Sequence, residues 1–356
     1  MGVWVAGAYT LACCEWLSKQ EYQLTSVTPG IEKHDILHIL KNLAPNFQNV
    51  VLAGYPSFIM DVLRELKTKN ISFPKNLKII TAGDSFSEEW RDSVCKLLGP
   101  QARPESIISI YGSADAGVMG FETPFSIFIR REAEKNKIFR SKIFGKNEKT
   151  PALVQFDPEH CFVESVKGEI LLTAATAIPL IRYNIQDIGK VVSFDEMKTL
   201  LSKYNLAAKS SQKGLLNWNL PFIIKEGRSD VAVTFYALNI YPEHIETALT
   251  DKKITNLVSG NFKAYNQTIK NNSRENLCLE IEMAEKKQPS KSALKKITDA
   301  LIENLLKINI EFRKLHASIG DRARPKVKLF KTFSYAKPVP TKVLLGLKGK
   351  KAKIII

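Results

Sequence analysis

Three short apolar runs, VVLAGY (50–55), LKIITAGD (77–84) and SIISIYG (106–112), constrain this chain more than any other feature. Each is separated from the next by a helical pattern. Runs that are apolar at nearly every position suit strands buried on both faces, and their alternation with helices suits parallel pairing. Pro56 opens the first intervening helix, which runs to about Lys69, and Ser87 with Glu88 and Glu89 caps the second, which reaches Leu98. Upstream, Pro29-Gly30 precedes Ile31, Ile36, Leu37, Ile39 and Leu40 at helical spacing, so 29–43 reads as a further helix.

After residue 120 the texture changes. LVQFDP (153–158), GEILLT (168–173) and LIRYNI (180–185) are short β segments between turn residues, the mark of a more irregular, partly antiparallel subdomain. A junction falls near GRSD (227–230), after which a second unit carries one long amphipathic helix over 290–312. The predicted class is α/β. A parallel sheet with helices and a small β subdomain occupies 1–228, and a small basic α/β domain occupies 229–356.

The net charge of +16 is uneven: residues 251–356 hold 24 Lys and Arg against 9 Asp and Glu. Such a surface attracts nucleic acid in principle. Here the lysines alternate with Asn and Ile, and neither an aromatic stripe nor a reader module accompanies them, so they read as solvated faces. Cys13, Cys14, Cys95, Cys161 and Cys278 form no C-x-x-C pair, which argues against a disulfide framework or zinc knuckle and for a reducing cytoplasm. The apolar start, MGVWVAGAYTLACCEWL, has no basic residue before Lys19 and is interrupted at Glu15. It fits neither an export signal nor a membrane span and is expected to be a core helix. His34 and His38 stand one helical turn apart without a third ligand, the pattern of exposed helix histidines. No G-x-S-x-G elbow supports a hydrolase.

Ligands of open α/β sheets bind beyond the carboxyl ends of the strands. Two turns meet that description, TAGDS (81–85) and YGSADAG (111–117). There Tyr111 suits an aromatic base, and Ser113 to Asp115 offer a hydroxyl and a carboxylate to phosphate and Mg²⁺. Taken alone, a tight turn with a capping Asp is the plainer reading and the preferred one. PLIRYNIQDIG (179–189) sets Asp187 past a strand, either to accept both hydroxyls of a ribose or merely in a surface turn.

The order and spacing of these pieces are more specific than any one of them. Tyr-Gly-x-x-acid at 111–115, Pro-Leu-Ile-Arg-Tyr-x-x-x-Asp at 179–187, and Gly-Arg-Ser-Asp at 227–230 followed by Asn-Ile-Tyr-Pro-x-x-Ile-Glu at 239–246 are in register. The set resembles the phenylacetate–coenzyme A ligase branch of the adenylate-forming superfamily, from about Gly2 to Glu246 and more loosely to the end. The resemblance implies activation of a carboxylic acid with ATP and Mg²⁺ to an acyl-adenylate, then transfer to coenzyme A. It implies that Gly83 and Asp84 lie in the adenine pocket, with Tyr111, Gly112 and Ser113 against base and phosphate. Asp115 corresponds to the Mg²⁺ carboxylate, Asp187 to the ribose carboxylate and Arg228 to its neighbour. Asp230 corresponds to the hinge of a mobile C-terminal lid. Lys350, in Gly349-Lys350, is the best match to the adenylating lysine, with Lys342 and Lys348 as competitors.

Three departures qualify the likeness. The phosphate-gripping loop expected upstream of the MGVWVAG segment is missing, so the large domain reads as N-terminally truncated. Ala114-Asp115 stands where Thr-Glu is usual, and Ala237 stands where a glycine lines the pantetheine passage. Adenylation by this chain alone is therefore not expected, because an unheld triphosphate loses its positioning. A separate N-terminal polypeptide is the expected partner, and a homodimer is compatible with the sequence. The alternative is a non-catalytic AMP-binding or assembly protein built on the same fold.

Overall fold

The computed structural model describes residues 5–83, 85–145, 150–228, 233–236, 238–269, 274–331, 343–347 and 350–355. The chain divides into two compact units, Met1–Asp230 and Val231–Ile356.

The first unit is built on a nine-stranded sheet in the order β1-β2-β3-β4-β5-β9-β8-β7-β6. Its strands are β1 (Val50–Gly54), β2 (Leu77–Thr81), β3 (Ile107–Ser113), β4 (Gly117–Phe121), β5 (Ala152–Gln155), β6 (Cys161–Val166), β7 (Glu169–Ala174), β8 (Leu180–Val192) and β9 (Phe222–Arg228). The three apolar runs become β1 to β3 and pair in parallel, with Val50 opposite Leu77 and Ile79 opposite Ile107. All the later pairings are antiparallel. Helices α1 (Val5–Lys19), α2 (Lys33–Asn42), α3 (Pro56–Thr68), α4 (Glu88–Leu98), α5 (Pro124–Lys135), α6 (Lys137–Phe144), α7 (Phe194–Lys203) and α8 (Ala207–Gln212) complete the unit. Pro56 occupies the first turn of α3, and Ser87 Oγ accepts the Trp90 amide to cap α4.

Two expectations fail in this unit. Leu77 and Ile79 pack with Phe58, Ile59, Leu63 and Val94 of α3 and α4, but Val51 and Lys78 on the opposite face are exposed. The second face is thus covered only in part: Ile80, Ile108 and Ile110 on it are half-buried while the positions nearest the β1 edge are open. The helix at the start forms, yet Tyr9 and Trp16 are exposed and Gly7 is the one buried residue described in it. An apolar helix specifies its own backbone, but a neighbour must supply its burial.

The later strands carry apolar side chains on both faces. Phe222 and Ile224 of β9 pack with Phe125, Phe139, Ile143 and Leu201 from α5, α6 and α7. Ile223, between them, faces Tyr111, Met119, Val163, Leu172 and Ile185. That second cluster lies inside a curl. β3 and β8 are four strand steps apart in the sheet order, roughly 19 Å if the sheet were flat. Nevertheless Tyr111 of β3 reaches Asp187 of β8 with its hydroxyl. The β4–β5 junction is the slightest in the sheet: a single residue pair, Phe121 opposite Gln155, joins the strands. A Cβ on Gly120 would lie 2.9 Å from the Gln155 carbonyl oxygen, so a larger residue would prise this junction open.

The second unit has a two-stranded ribbon, β10 (Val233–Phe235) and β11 (Leu238–Ile240), and a five-stranded sheet. The larger sheet runs β14-β13-β12-β15-β16, with β12 at Val258–Ile269, β13 at Arg274–Met283, β14 at Lys326–Phe330, β15 at Val343–Leu347 and β16 at Lys350–Ile355. Three helices, α9 (Pro242–Leu249), α10 (Lys291–Ile308) and α11 (Ile310–Ile319), pack on it around Phe262, Leu279, Ile281, Leu301 and Phe312. The single helix expected over 290–312 is broken at Asn309. Asn309 leaves helical geometry (φ −117°, ψ 104°), and its Oδ1 accepts the Phe312 amide at 2.8 Å, capping α11. Hydrophobic periodicity continues across the break, and only the capping chemistry of Asn reveals it.

Asn309→Ala removes that cap and is expected to lower unfolding free energy by about 1 kcal/mol. Urea denaturation monitored by circular dichroism measures it; an unchanged midpoint would show that the break is imposed from elsewhere.

Candidate functional site

β3 delivers Tyr111, Gly112 and Ser113 to a tight turn that returns as β4. Ser113 Oγ accepts the Ala116 amide at 3.1 Å, closing the turn on itself. Gly112 is required by close approach: a Cβ there would sit 2.3 Å from the Gly117 carbonyl oxygen. Asp115 is exposed at the tip, and its Oδ2 accepts the Tyr183 hydroxyl at 3.1 Å.

β8 supplies the opposite wall. Its register slips against β7 in two places, and Arg182 and Gln186 adopt left-handed φ angles of 48° and 63°. Asn184 Oδ1 accepts the Gln186 amide at 2.7 Å and stabilises the second kink. Irregularities of this kind re-aim side chains, and here Asp187 faces into the curl beside Ile185. Its carboxylate is buried, at 3% exposure, and Oδ2 accepts the Tyr111 hydroxyl at 2.6 Å. Lys225 of β9 brings Nζ to 3.6 Å from Asp187 Oδ1 and 5.7 Å from the centroid of the Tyr111 ring. In backbone register, Asp187 lies opposite Arg228.

The structure thus sets the Tyr111–Ser113 strand end and its Asp115 turn against β8, Tyr111 bonded to Asp187 and Asp115 to Tyr183; this junction, the mouth of the curl, has Asp187 on its buried side and Asp115 on its exposed side. Two details differ from expectation. Tyr111 is only 7% exposed and is bonded to Asp187, so base and ribose do not meet two independent side chains. The Ser113 hydroxyl already serves its own turn. Gly83 follows β2 with φ 86°, the left-handed conformation that glycine accepts readily. Asp84, Asp230, Ala237, Lys342 and Lys348 lie outside the described residues, as do the side chains of Arg228 and Lys350, whose backbones belong to β9 and β16. Arg182 turns away and forms two 3.1 Å bonds with Glu164 of β6. His34 and His38 bond to Asp35 and Asn42, and no group of three or more His, Cys, Asp or Glu side chains suited to a metal occurs among the described residues.

Sequence reasoning missed Lys225 and also missed a buried charge network behind the Gly83 turn. Arg91 of α4 pairs with Glu88 at 2.9 Å and with Glu122 at 2.7 Å, and Arg130 of α5 pairs with Glu122 at 2.6 Å. All four side chains are buried. Arg130 Nη2 donates to the Phe86 carbonyl at 2.6 Å, and the Arg91 guanidinium lies 4.7 Å from the Phe86 ring centroid. Glu122 Oε2 accepts the Ser109 amide at 2.9 Å. Burial alone would lower the Arg91 pKa, but Glu122 and Glu88 outweigh it and hold the guanidinium above its ordinary value. The network clamps the segment after Gly83 to β3, α4 and α5. Glu88 and Arg91, at an i,i+3 spacing, read in the sequence as ordinary first-turn residues, and Glu122 carries no local signal.

No protein-family model and no curated protein matches this sequence. Solved structures do match it in fold. The amide bond synthetase McbA of Marinactinospora thermotolerans superposes with a TM-score of 0.50 at 13% identity, covering 85% of this chain and 51% of that one. A malonyl-CoA ligase, in a ternary product complex with methylmalonyl-CoA and AMP, matches at a TM-score of 0.44 and 11% identity, over 85% of this chain and 55% of that one. The likeness to the synthetase is one of fold: a mixed α/β architecture with a partly parallel sheet. The chain spans about half the length of these structures. No helix among the described residues is long and apolar enough to cross a membrane.

Glu122→Gln leaves Arg91 and Arg130 buried with one counter-charge fewer, and is expected to cost about 3–5 kcal/mol of stability. Denaturant titration tests this. A loss below about 1 kcal/mol would show that the network is not structural.

Proposed function

We propose that this chain binds an adenine nucleotide across the mouth of the curled sheet and takes part in ATP-dependent activation of a carboxylic acid to an acyl-adenylate. The observation that carries the reading is the convergence of Tyr111, Asp187 and Lys225 beside the Asp115 turn. A buried carboxylate is a strong acceptor for a ribose diol, since charge-assisted hydrogen bonds strengthen where water is scarce. Tyr111 holds that carboxylate in one orientation. An adenine ring enters against the edge of Tyr111 and the Gly112 backbone, which has no side chain to bar it.

Asp115 suits Mg²⁺, because that ion keeps several waters and takes only one or two protein carboxylates alongside phosphate oxygens. When bound, the ion would neutralise charge that develops on those oxygens. In this reading Tyr183 fixes one oxygen of Asp115 and so orients the other. The acid's carboxylate attacks the α-phosphorus and pyrophosphate leaves; the coenzyme A thiol then attacks the acyl carbon, forming the thioester as AMP leaves. Lys350, Arg228 and the Asp230 hinge belong to this proposal by resemblance. The carboxylic acid and a separate polypeptide carrying the phosphate loop are the proposed partners, and the cytoplasm is the proposed location.

A second reading, an AMP-binding protein without catalysis, is favoured by one specific observation. Ala114 offers no hydroxyl, and the Ser113 hydroxyl beside it accepts from the turn's own amide.

Calorimetry with AMP, followed by ATP–pyrophosphate exchange with a panel of carboxylic acids, separates the two. The exchange is run on this chain alone and again with any polypeptide encoded just upstream. Asp187→Asn is expected to weaken AMP binding at least tenfold, the scale of one charge-assisted hydrogen bond. Undiminished affinity rules Asp187 out as the ribose ligand. AMP binding without exchange under either condition selects the second reading.

A further inference from the structure

Lys225 is unusual among the residues at this mouth, and its position follows from strand alternation. Phe222 and Ile224 face the helices, and Ile223 faces the interior of the curl. Lys225 continues the Ile223 side at the open end of the strand, where Asp187 lies on the equivalent side of β8 beside Ile185. Its side chain is 26% exposed, against 4% for that of Asp187, so a ligand approaching the carboxylate from solvent meets Lys225 first.

The charges at the mouth give this arrangement a consequence. Asp115 and Asp187 both present carboxylates, and the phosphate of a 5′-nucleotide adds nearly two more negative charges. Without a cation those groups repel. Arg182, the nearest arginine in the sequence to Asp187 on β8, is committed to Glu164. Among the described residues Lys225 is a cation that reaches both Asp187 and Tyr111, held by one loose ion pair and by the face of the ring. A lysine head on a four-carbon stem exchanges anionic partners readily, because it acts as a point charge with no fixed fork geometry.

We propose that Lys225 recognises the nucleotide's phosphate: it rests on Asp187, yields that carboxylate to the ribose hydroxyls, and transfers its charge to the 5′-phosphate. The inference rests on the nucleotide reading of the site and deepens it, since it makes Lys225 the determinant that separates a nucleotide from a nucleoside. It also assigns Asp187 two successive partners on the same oxygen, a lysine and then a diol.

The experiment compares AMP with adenosine by calorimetry on the full chain and on Lys225→Met and Lys225→Arg. Wild type is expected to prefer AMP. In Lys225→Met the preference falls about tenfold, with AMP weakened and adenosine strengthened because Asp187 has lost a competitor. Lys225→Arg keeps most of the preference. If Lys225→Met weakens both ligands equally, Lys225 merely supports the fold at this point, and the inference is overturned. It is equally overturned if the preference for AMP is unchanged. If wild type binds neither compound, the nucleotide reading itself fails, a result distinct from a wild type that binds both but does not use Lys225 to tell them apart.

Discussion

The hydrogen bond between Tyr111 and Asp187 is the interaction on which the first unit's shape turns. It spans a distance that a flat sheet would not allow, so the sheet must roll until β3 and β8 face each other. Everything that gives the mouth its character follows from that roll. The inner cluster around Met119, Val163 and Leu172 becomes a lining, Asp187 becomes buried while still bearing a carboxylate, and Lys225 arrives above Tyr111. A buried acceptor bonded to a phenol contributes about 1.5–3 kcal/mol. That is enough to bias the curl, though not to create it. The glycines at 112 and 120 admit the close backbone approach that the neighbouring strands make, and β4 and β5 share only one pair.

The site's two buried electrostatic devices work differently. The Arg91–Glu88–Glu122–Arg130 group is shut off from solvent: its four side chains are buried, Arg131 adds a third cation at 3.4 Å from Glu88, and Arg130 donates onward to the Phe86 carbonyl. Such a group resists change, because removing any one member strands a charge in a medium that solvates it poorly. The Tyr111–Asp187–Lys225 group is open at one end, where lysine meets solvent. In the proposed nucleotide site the first group would hold the backbone in position while the second offers a counter-ion for displacement.

The sequence was most legible where local rules decide the outcome. Apolar runs with intervening helices marked β1 to β3, and Pro56 and Ser87 marked where α3 and α4 begin, because strand burial and capping act within a few residues. Tyr111, Gly112, Asp115 and Asp187 were legible as motif pieces, and the fold brings them to one place. Partners across the sheet were not legible. Nothing in FIIKEGR announces that Lys225 meets Asp187, because that meeting depends on the curl, and nothing near Glu122 announces two arginines from different helices. The break at Asn309 was missed for a different reason. An apolar stripe of helical period runs through it, so periodicity and capping disagree, and capping prevails.

The separation between the members of the mouth has a kinetic side. Tyr111 and Asp187 are 76 residues apart along the chain, and Lys225 comes later still. Contacts that close such long loops are made only after the loop entropy has been met by other interactions, so they tend to follow local structure in folding. During synthesis the parallel strands and their helices have all emerged long before β9 exists. A growing chain therefore carries a complete β1–β3 layer for some time with no mouth at all, and Lys225 is the last of the three to arrive.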